Sequence, residues 1–244
     1  PADEVPAVPE LARPLRVLVA GDSTANALGS GIVRWAAAHP ELAQAEVAAA
    51  PGCGFLEGGQ RRIGDSIEEP EGCNGWVDEF LVPKVTALRP DVVVAMVSSW
   101  DLVDRRWTGE AMLTPFDADY RERLDTDYAR LVDTLVGAGA GSIAFVRHPV
   151  PNVWWLDDFT GQSDPERHAV IYDVYADLAA REPAVRVVDL AGWMAATGVD
   201  GDHDARPDGI HLTPEAAEQL TDQFLGEELI RTALGLPGEW SDAP

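Results

Sequence analysis

Two short segments near opposite ends of this 244-residue chain carry residues suited to nucleophilic catalysis. The first is Gly21-Asp22-Ser23-Thr24, which follows an apolar run at 15–20 and precedes a helix-prone stretch at 25–38. A serine where a strand passes into a helix lies near the helix's unpaired amides and the positive end of its dipole. Those features favour an oxyanion beside it. Serine is also a preferred N-cap, so on this segment alone Ser23 reads more simply as a helix cap. The second segment is Arg206-Pro207-Asp208-Gly209-Ile210-His211-Leu212, just ahead of Thr213-Pro214. A serine hydroxyl needs a base to attack an ester, because its own pKa lies far above neutrality. Histidine has the pKa for that task. A carboxylate three residues earlier, across a glycine-containing turn, can reach the second ring nitrogen and fix the tautomer. Of the five histidines only His211 has this arrangement. His203 lies among Asp200, Asp202 and Asp204, a run that reads as a solvated loop or a weak cation site. The chemistry expected is acyl transfer, with Ser23 as nucleophile, His211 as base and Asp208 orienting that base.

Bringing these segments together requires a sheet whose strands end at a common edge, since ligands of open α/β sheets bind beyond the carboxyl ends of the strands. Short apolar runs do alternate with amphipathic stretches throughout, the pattern of a parallel sheet covered by helices. Strands are predicted at 15–20, 46–50, 91–97, 142–146 and 185–190, the third having the unbroken β-branched character of a strand buried on both faces. Leu124, Tyr128, Leu131, Val132 and Leu135 share one helical face, and Ile171, Val174, Tyr175, Leu178 and Ala179 another. The second of these helices is expected to start with Ser163 as N-cap, Pro165 in the first turn and Glu166 closing a capping box. The last helix is expected to open at Thr213-Pro214 and to bury Ala217, Leu220, Phe224 and Leu225. No internal repeat or domain boundary is visible. The expectation is one three-layer α/β/α sandwich with a five-stranded parallel sheet at 15–235, a linker or disordered start at 1–14 and a tail at 236–244.

Composition narrows the partners. With 46% hydrophobic residues the chain is long enough for one sizeable core. A net charge of −24 repels nucleic acid and anionic surfaces, so no nucleic-acid partner is expected. No stretch approaches the roughly 20 apolar residues of a membrane helix. The opening Pro1-Ala2-Asp3-Glu4-Val5-Pro6-Ala7-Val8-Pro9 reads as a linker from something upstream or as an ordinary disordered terminus. Two cysteines, Cys53 and Cys73, are too few for a four-ligand metal set, and no histidine stands at ligand spacing beside them, so no metal is expected. They are expected to form a loop-closing disulfide, which implies an oxidising compartment, the alternative being two unrelated thiols.

Gly-Asp-Ser after the first strand and Asp-Gly-Ile-His before the last helix together resemble the SGNH/GDSL hydrolase family. The resemblance covers residue 16 to about residue 234. It implies a flavodoxin-like α/β/α sandwich, with Ser23, Asp208 and His211 as the triad and no cofactor. The family's second block, a glycine whose amide helps bind the oxyanion, corresponds to Pro51-Gly52-Cys53-Gly54, with Gly52 and Gly54 both candidates beside the amide of Ser23 itself. The third block, Gly-x-Asn-Asp, is here Ser98-Ser99-Trp100-Asp101, so Trp100 stands where the family has its oxyanion-binding asparagine. Ser98, Ser99, the Trp100 indole and Arg105 are the candidate substitutes, and Trp100, Asp101 and Arg105 are expected at the substrate pocket.

Gly52-Cys53-Gly54, Cys73 with Trp76, Arg89-Pro90-Asp91-Val92-Val93-Val94 and Trp100-Asp101 through Asp104-Arg105 form a combination similar to the SGNH domains fused to bacterial acyltransferase-3 membrane proteins. That resemblance implies an extracytoplasmic domain, a small acyl donor, a cell-envelope or surface carbohydrate as acceptor, and an upstream membrane acyltransferase domain. Trp154-Trp155, Trp100 and Trp107 fall in or near the predicted strand-end loops, where aromatic faces stack on sugars or simply pack. The expected function is a serine esterase or O-acyltransferase, most simply O-acetyl. The rival is a carbohydrate-binding module that has lost turnover.

Overall fold

The apolar runs pair into one all-parallel sheet. In the computed structural model, which describes residues 7–155, 161–238 and 240, the elements in chain order are β1 (Leu15–Gly21), α1 (Ser23–Ala38), β2 (Ala43–Ala49), β3 (Gln60–Ile63), β4 (Ser66–Glu68), α2 (Val82–Leu88), β5 (Val92–Met96), β6 (Arg105–Arg106), α3 (Ala118–Gly137), β7 (Ser142–Val146), α4 (Pro165–Arg181), β8 (Val185–Val188), α5 (Leu190–Thr197), α6 (Pro214–Leu220) and α7 (Gly226–Leu234). Single π-helical turns, Val77–Leu81 and Thr221–Leu225, lead into α2 and join α6 to α7. The main sheet has the order β2-β1-β5-β7-β8, every neighbouring pair parallel. A parallel sheet is stable only when both faces are covered, and the side chains alternate accordingly. Leu15, Val17, Val19, Val92 and Val94 pack with α1, α5, α6 and α7, whereas Leu18, Ala20, Val93 and Ala95 pack with α2, α3 and α4. This is the three-layer sandwich expected.

The differences from expectation have local causes. The second strand begins earlier, at Ala43, in register with Leu15. The fifth stops at Val188 because Asp189 accepts from the amide of Gly192 and so caps α5. The cap of α4 is Asp164, not Ser163: the Asp164 carboxylate accepts from the Glu166 amide, with Pro165 in the first turn. The last helix does open at Thr213-Pro214, and Ala217, Leu220, Phe224 and Leu225 are buried. Unexpected is a three-stranded antiparallel sheet, β4-β3-β6, beside the main one. Its strands carry arginines rather than an alternating apolar pattern, and β3 finds β6 more than 40 residues away.

Of the expected linker, residues 1–6 lie outside the described residues, and Val8 and Leu11 pack against the α1 side of the core. Of the expected tail, residues 239 and 241–244 lie outside them. Trp240 packs on Phe224, and its carbonyl accepts from the Asp189 amide.

Candidate active site

Ser23 is freed from capping by its neighbour. β1 ends at Gly21, whose φ of 142° favours glycine and whose Cβ position lies 1.7 Å from the Met96 carbonyl oxygen, so no side chain fits between β1 and β5. Asp22 then caps α1. One carboxylate oxygen accepts from the Thr24 amide (2.8 Å), and the other from the amide (3.0 Å) and hydroxyl (3.1 Å) of Ser98, which follows β5. Asp22 is fully buried and locks two strand ends together. Ser23 Oγ is left to bond His211 Nε2, at 2.7 Å.

The loop before α6 supplies His211. One oxygen of Asp208 accepts from the amides of Ile210 (2.8 Å) and His211 (2.7 Å), and the other lies 2.6 Å from His211 Nδ1. A proton on Nδ1 therefore leaves Nε2 as acceptor for the Ser23 hydroxyl. Partial burial acts to raise the Asp208 pKa, but the bonds from His211 and Ile210 outweigh it and hold the carboxyl below its ordinary value. Gly209 has φ +75°, and its Cβ position lies 1.8 Å from the Asn152 carbonyl oxygen, so glycine is required at this crossing.

The segment after β7 braces this loop. The Asn152 amide donates to the Gly209 carbonyl (2.8 Å), and His148 Nε2 lies 3.3 Å from the Ile210 carbonyl. Burial pushes the His148 imidazole well below its ordinary pKa. It is neutral, so Nε2 carries the proton it donates to Ile210. Arg206, buried, turns its guanidinium to the carbonyls of Asp200, Pro149 and Val150. His148 and Asn152 had no signal in the sequence, and Arg206 was visible only as part of the motif.

The opposite rim carries the second block. Ala50 to Cys53 is a turn, closed by the Cys53 amide on the Ala50 carbonyl, with Pro51 second and Gly52 third at φ +81°. Cys53 is disulfide-bonded to Cys73. Arg61 Nη1 donates to the Gly52 carbonyl at 2.7 Å, and its guanidinium lies 4.7 Å from the centroid of the Trp100 ring. Gly54 is packed shut: its Cβ position lies 1.8 Å from Asp101 Oδ1. Gly52 has open space beside it and an amide outside the turn's hydrogen bond.

Trp100 is half-buried on this rim, but Asp101 and Arg105 are not at a pocket surface. Asp101 is fully buried, accepting from the amides of Phe55 (2.7 Å) and Leu56 (3.1 Å) and from the Tyr128 hydroxyl (2.8 Å), with Arg105 at 3.8 Å. Arg105 donates to the carbonyls of Leu56, Gly58 and Trp100. A buried ion pair needs its remaining lone pairs and protons satisfied, and these two, apart from Arg105 Nε, use theirs to fasten the second-block loop to the third. Ser98 is spent on Asp22, and Ser99 donates to Gln162 Oε1 at 2.9 Å. Gln162, nearly buried, was not singled out in the sequence. Its amide nitrogen has no partner among the described residues. The aspartates around His203 form no group able to hold a metal ion among the described residues.

A family model described as an SGNH domain (fused to AT3 domains) matches residues 3–226. No curated protein sequence matches the chain. Among solved structures, the lipase/acylhydrolase from Enterococcus faecalis aligns with a TM-score of 0.53 at 18% identity, over 92% of this chain and 97% of that one. The periplasmic domain of a lipopolysaccharide acetyltransferase from Salmonella ser. Paratyphi A gives 0.54 at 13% identity, over 91% and 85%. A mutant of an acetyl-xylooligosaccharide esterase from Geobacillus stearmophilus gives 0.52 at 14%, over 96% and 100%. At these identities the likeness is one of fold.

Proposed function

Because this chain belongs to the family of SGNH domains found fused to AT3 domains, and so to the acyl esterases and O-acyltransferases of the SGNH type, we propose that Ser23, His211 and Asp208 are its catalytic triad. The observation that carries this reading is the unbroken hydrogen-bond chain from Ser23 Oγ through the imidazole to Asp208. In the first half-reaction His211 Nε2 takes the Ser23 proton as Oγ attacks the donor's acyl carbon. The oxyanion is held by the amides of Ser23 and Gly52. We choose Gly52 over Gly54 because the space beside Gly52 is open, whereas that beside Gly54 is filled by Asp101. Collapse expels the donor's alkoxide, which recovers the proton from His211. In the second half-reaction a hydroxyl, from an acceptor or from water, gives its proton to Nε2 and attacks the acyl-serine, and collapse breaks the acyl–Oγ bond as Nε2 returns that proton to Ser23.

The finer reading is transfer or removal of a small acyl group, most simply acetyl, on a cell-envelope or surface carbohydrate outside the cytoplasm, with a membrane acyltransferase domain upstream. The fusion named in the family's description supports the last point, and the disulfide fits an oxidising compartment. Hydrolysis of p-nitrophenyl acetate by wild type and Ser23→Ala tests the nucleophile. Equal rates would return the domain to the carbohydrate-binding reading.

A further inference from the structure

Two indoles beside the triad have no part in the chemistry above. Trp154 and Trp155 are 60% and 54% exposed, more than any other large apolar side chain described. Tryptophan ordinarily buries its ring and hydrogen-bonds its N–H. Here only the N–H is turned inward: Trp154 Nε1 donates to the Pro207 carbonyl and Trp155 Nε1 to that of Asp208, each at 3.3 Å. Trp154 is further steadied edge-on against His203, with ring centroids 5.2 Å apart. The two rings are thus fixed to the loop that carries the triad carboxylate, with their one polar atom spent. What they offer a ligand is apolar face.

The surroundings select the ligand. Asp200, Asp202 and Asp204 stand exposed on the same stretch as His203, and carboxylates only accept hydrogen bonds. An apolar face packed against a histidine that lies in a run of exposed carboxylates suits a molecule with a C–H face and many hydroxyl donors. An acyl chain would leave the acceptors unanswered, and an anion would meet the chain's net charge of −24. We propose that Trp154 and Trp155 form the acceptor subsite, a platform on which a pyranose ring of a neutral carbohydrate stacks and presents one hydroxyl to the acyl group on Ser23. The assignment rests on the proposed function for its role in catalysis, but the platform's binding is testable without it.

Binding is therefore read on the Ser23→Ala chain, by calorimetry with cellohexaose and with manno-, galacto- and N-acetylglucosamine hexamers. At least one should bind. Trp154→Ala and Trp155→Ala should each weaken it about tenfold, whereas Trp→Phe, which keeps the face and loses the N–H, should retain most of the affinity. Sorbitol at equal hydroxyl concentration should not compete, and an oligogalacturonate should bind more weakly than its neutral counterpart. In the Ser23 protein, loss of the indoles should raise the acceptor KM for acetyl transfer from p-nitrophenyl acetate far more than it lowers kcat. Circular dichroism checks that the variants fold, and the phenylalanine pair keeps the test usable if an alanine variant does not. No binding to any neutral hexamer, or Trp→Ala variants that bind as tightly as their parent, overturns the platform. Saccharide binding without ester turnover by wild type overturns the catalytic reading alone.

Discussion

The two rims of the site are built by different means. On the side of Ser23 and His211 the bonds that cap the helix and orient the imidazole are short in sequence: Asp22 caps through Thr24, and Asp208 binds Ile210 and His211, with Ser98 and the Ser23–His211 bond added across the fold. On the side proposed to hold the oxyanion the fastening bonds are mostly long-range. Cys53 reaches Cys73, Asp101 reaches Phe55 across 46 residues, and Arg105 reaches Leu56 and Gly58. A motif of a few residues can orient a base and set its tautomer, while its meeting with Ser23, 188 residues away, is left to the sheet edge that both loops share. An amide waiting for an oxyanion has no side chain to steer it, so its loop must be fastened from outside.

If that division is right, damage to the first rim should remove chemistry and leave the fold. Ser23→Ala and His211→Ala should lower kcat on p-nitrophenyl acetate by about 10⁴-fold or more, and Asp208→Asn by up to about 10⁴-fold through the wrong tautomer. Thermal midpoints should stay near that of wild type. A His211→Ala protein retaining a tenth of the activity would remove the base assignment.

Damage to the second rim should cost stability first. Asp101→Ala leaves Arg105 buried without its partner and strips two amides and a tyrosine of their acceptor, for about 3–5 kcal/mol. In a chain of this length that lowers the melting temperature by about 10 °C. Calorimetry showing an unchanged midpoint with a raised KM would instead return Asp101 to the substrate pocket.

The paired change of Cys53 and Cys73 to serine should cost about 3 kcal/mol by the loop-closure argument. It should also lower kcat more than it raises KM, because Gly52 adjoins the bridge. Peptide mapping without reductant should recover Cys53 linked to Cys73, and two free thiols in secreted material would contradict the extracytoplasmic proposal.

The smallest effect expected is at Trp100. An indole in place of the family's asparagine, stacked with Arg61, should narrow the acyl site, so wild type should prefer acetyl to octanoyl esters. Trp100→Asn should flatten that preference and raise acetyl ester hydrolysis by no more than about tenfold, since the new donor comes with the loss of the stack holding Arg61 against Gly52. A wild-type preference for octanoyl would show that Trp100 does not close the site.

The sequence by itself determined the main sheet: its central strands β5 and β7, buried on both faces, are almost unbroken apolar runs, and β1, β2 and β8 keep shorter runs interrupted by Arg16, by Gln44 and Glu46, and by Arg186. The five runs fell within a few residues of β1, β2, β5, β7 and β8. It also determined the reading of Ser23, Asp208 and His211 as a unit, because the bonds that orient Asp208 and His211 lie within a four-residue span and the element order sends both segments to one sheet edge. Only the tertiary structure decided that Asp22 rather than Ser23 caps α1, that Asp101 and Arg105 are fasteners rather than pocket residues, and that Gln162 lies against Ser99. A buried charge and an exposed one look alike in a sequence. Which it is depends on partners brought in from tens of residues away, as Tyr128 and Phe55 are brought to Asp101, and those contacts follow from packing rather than from any local pattern.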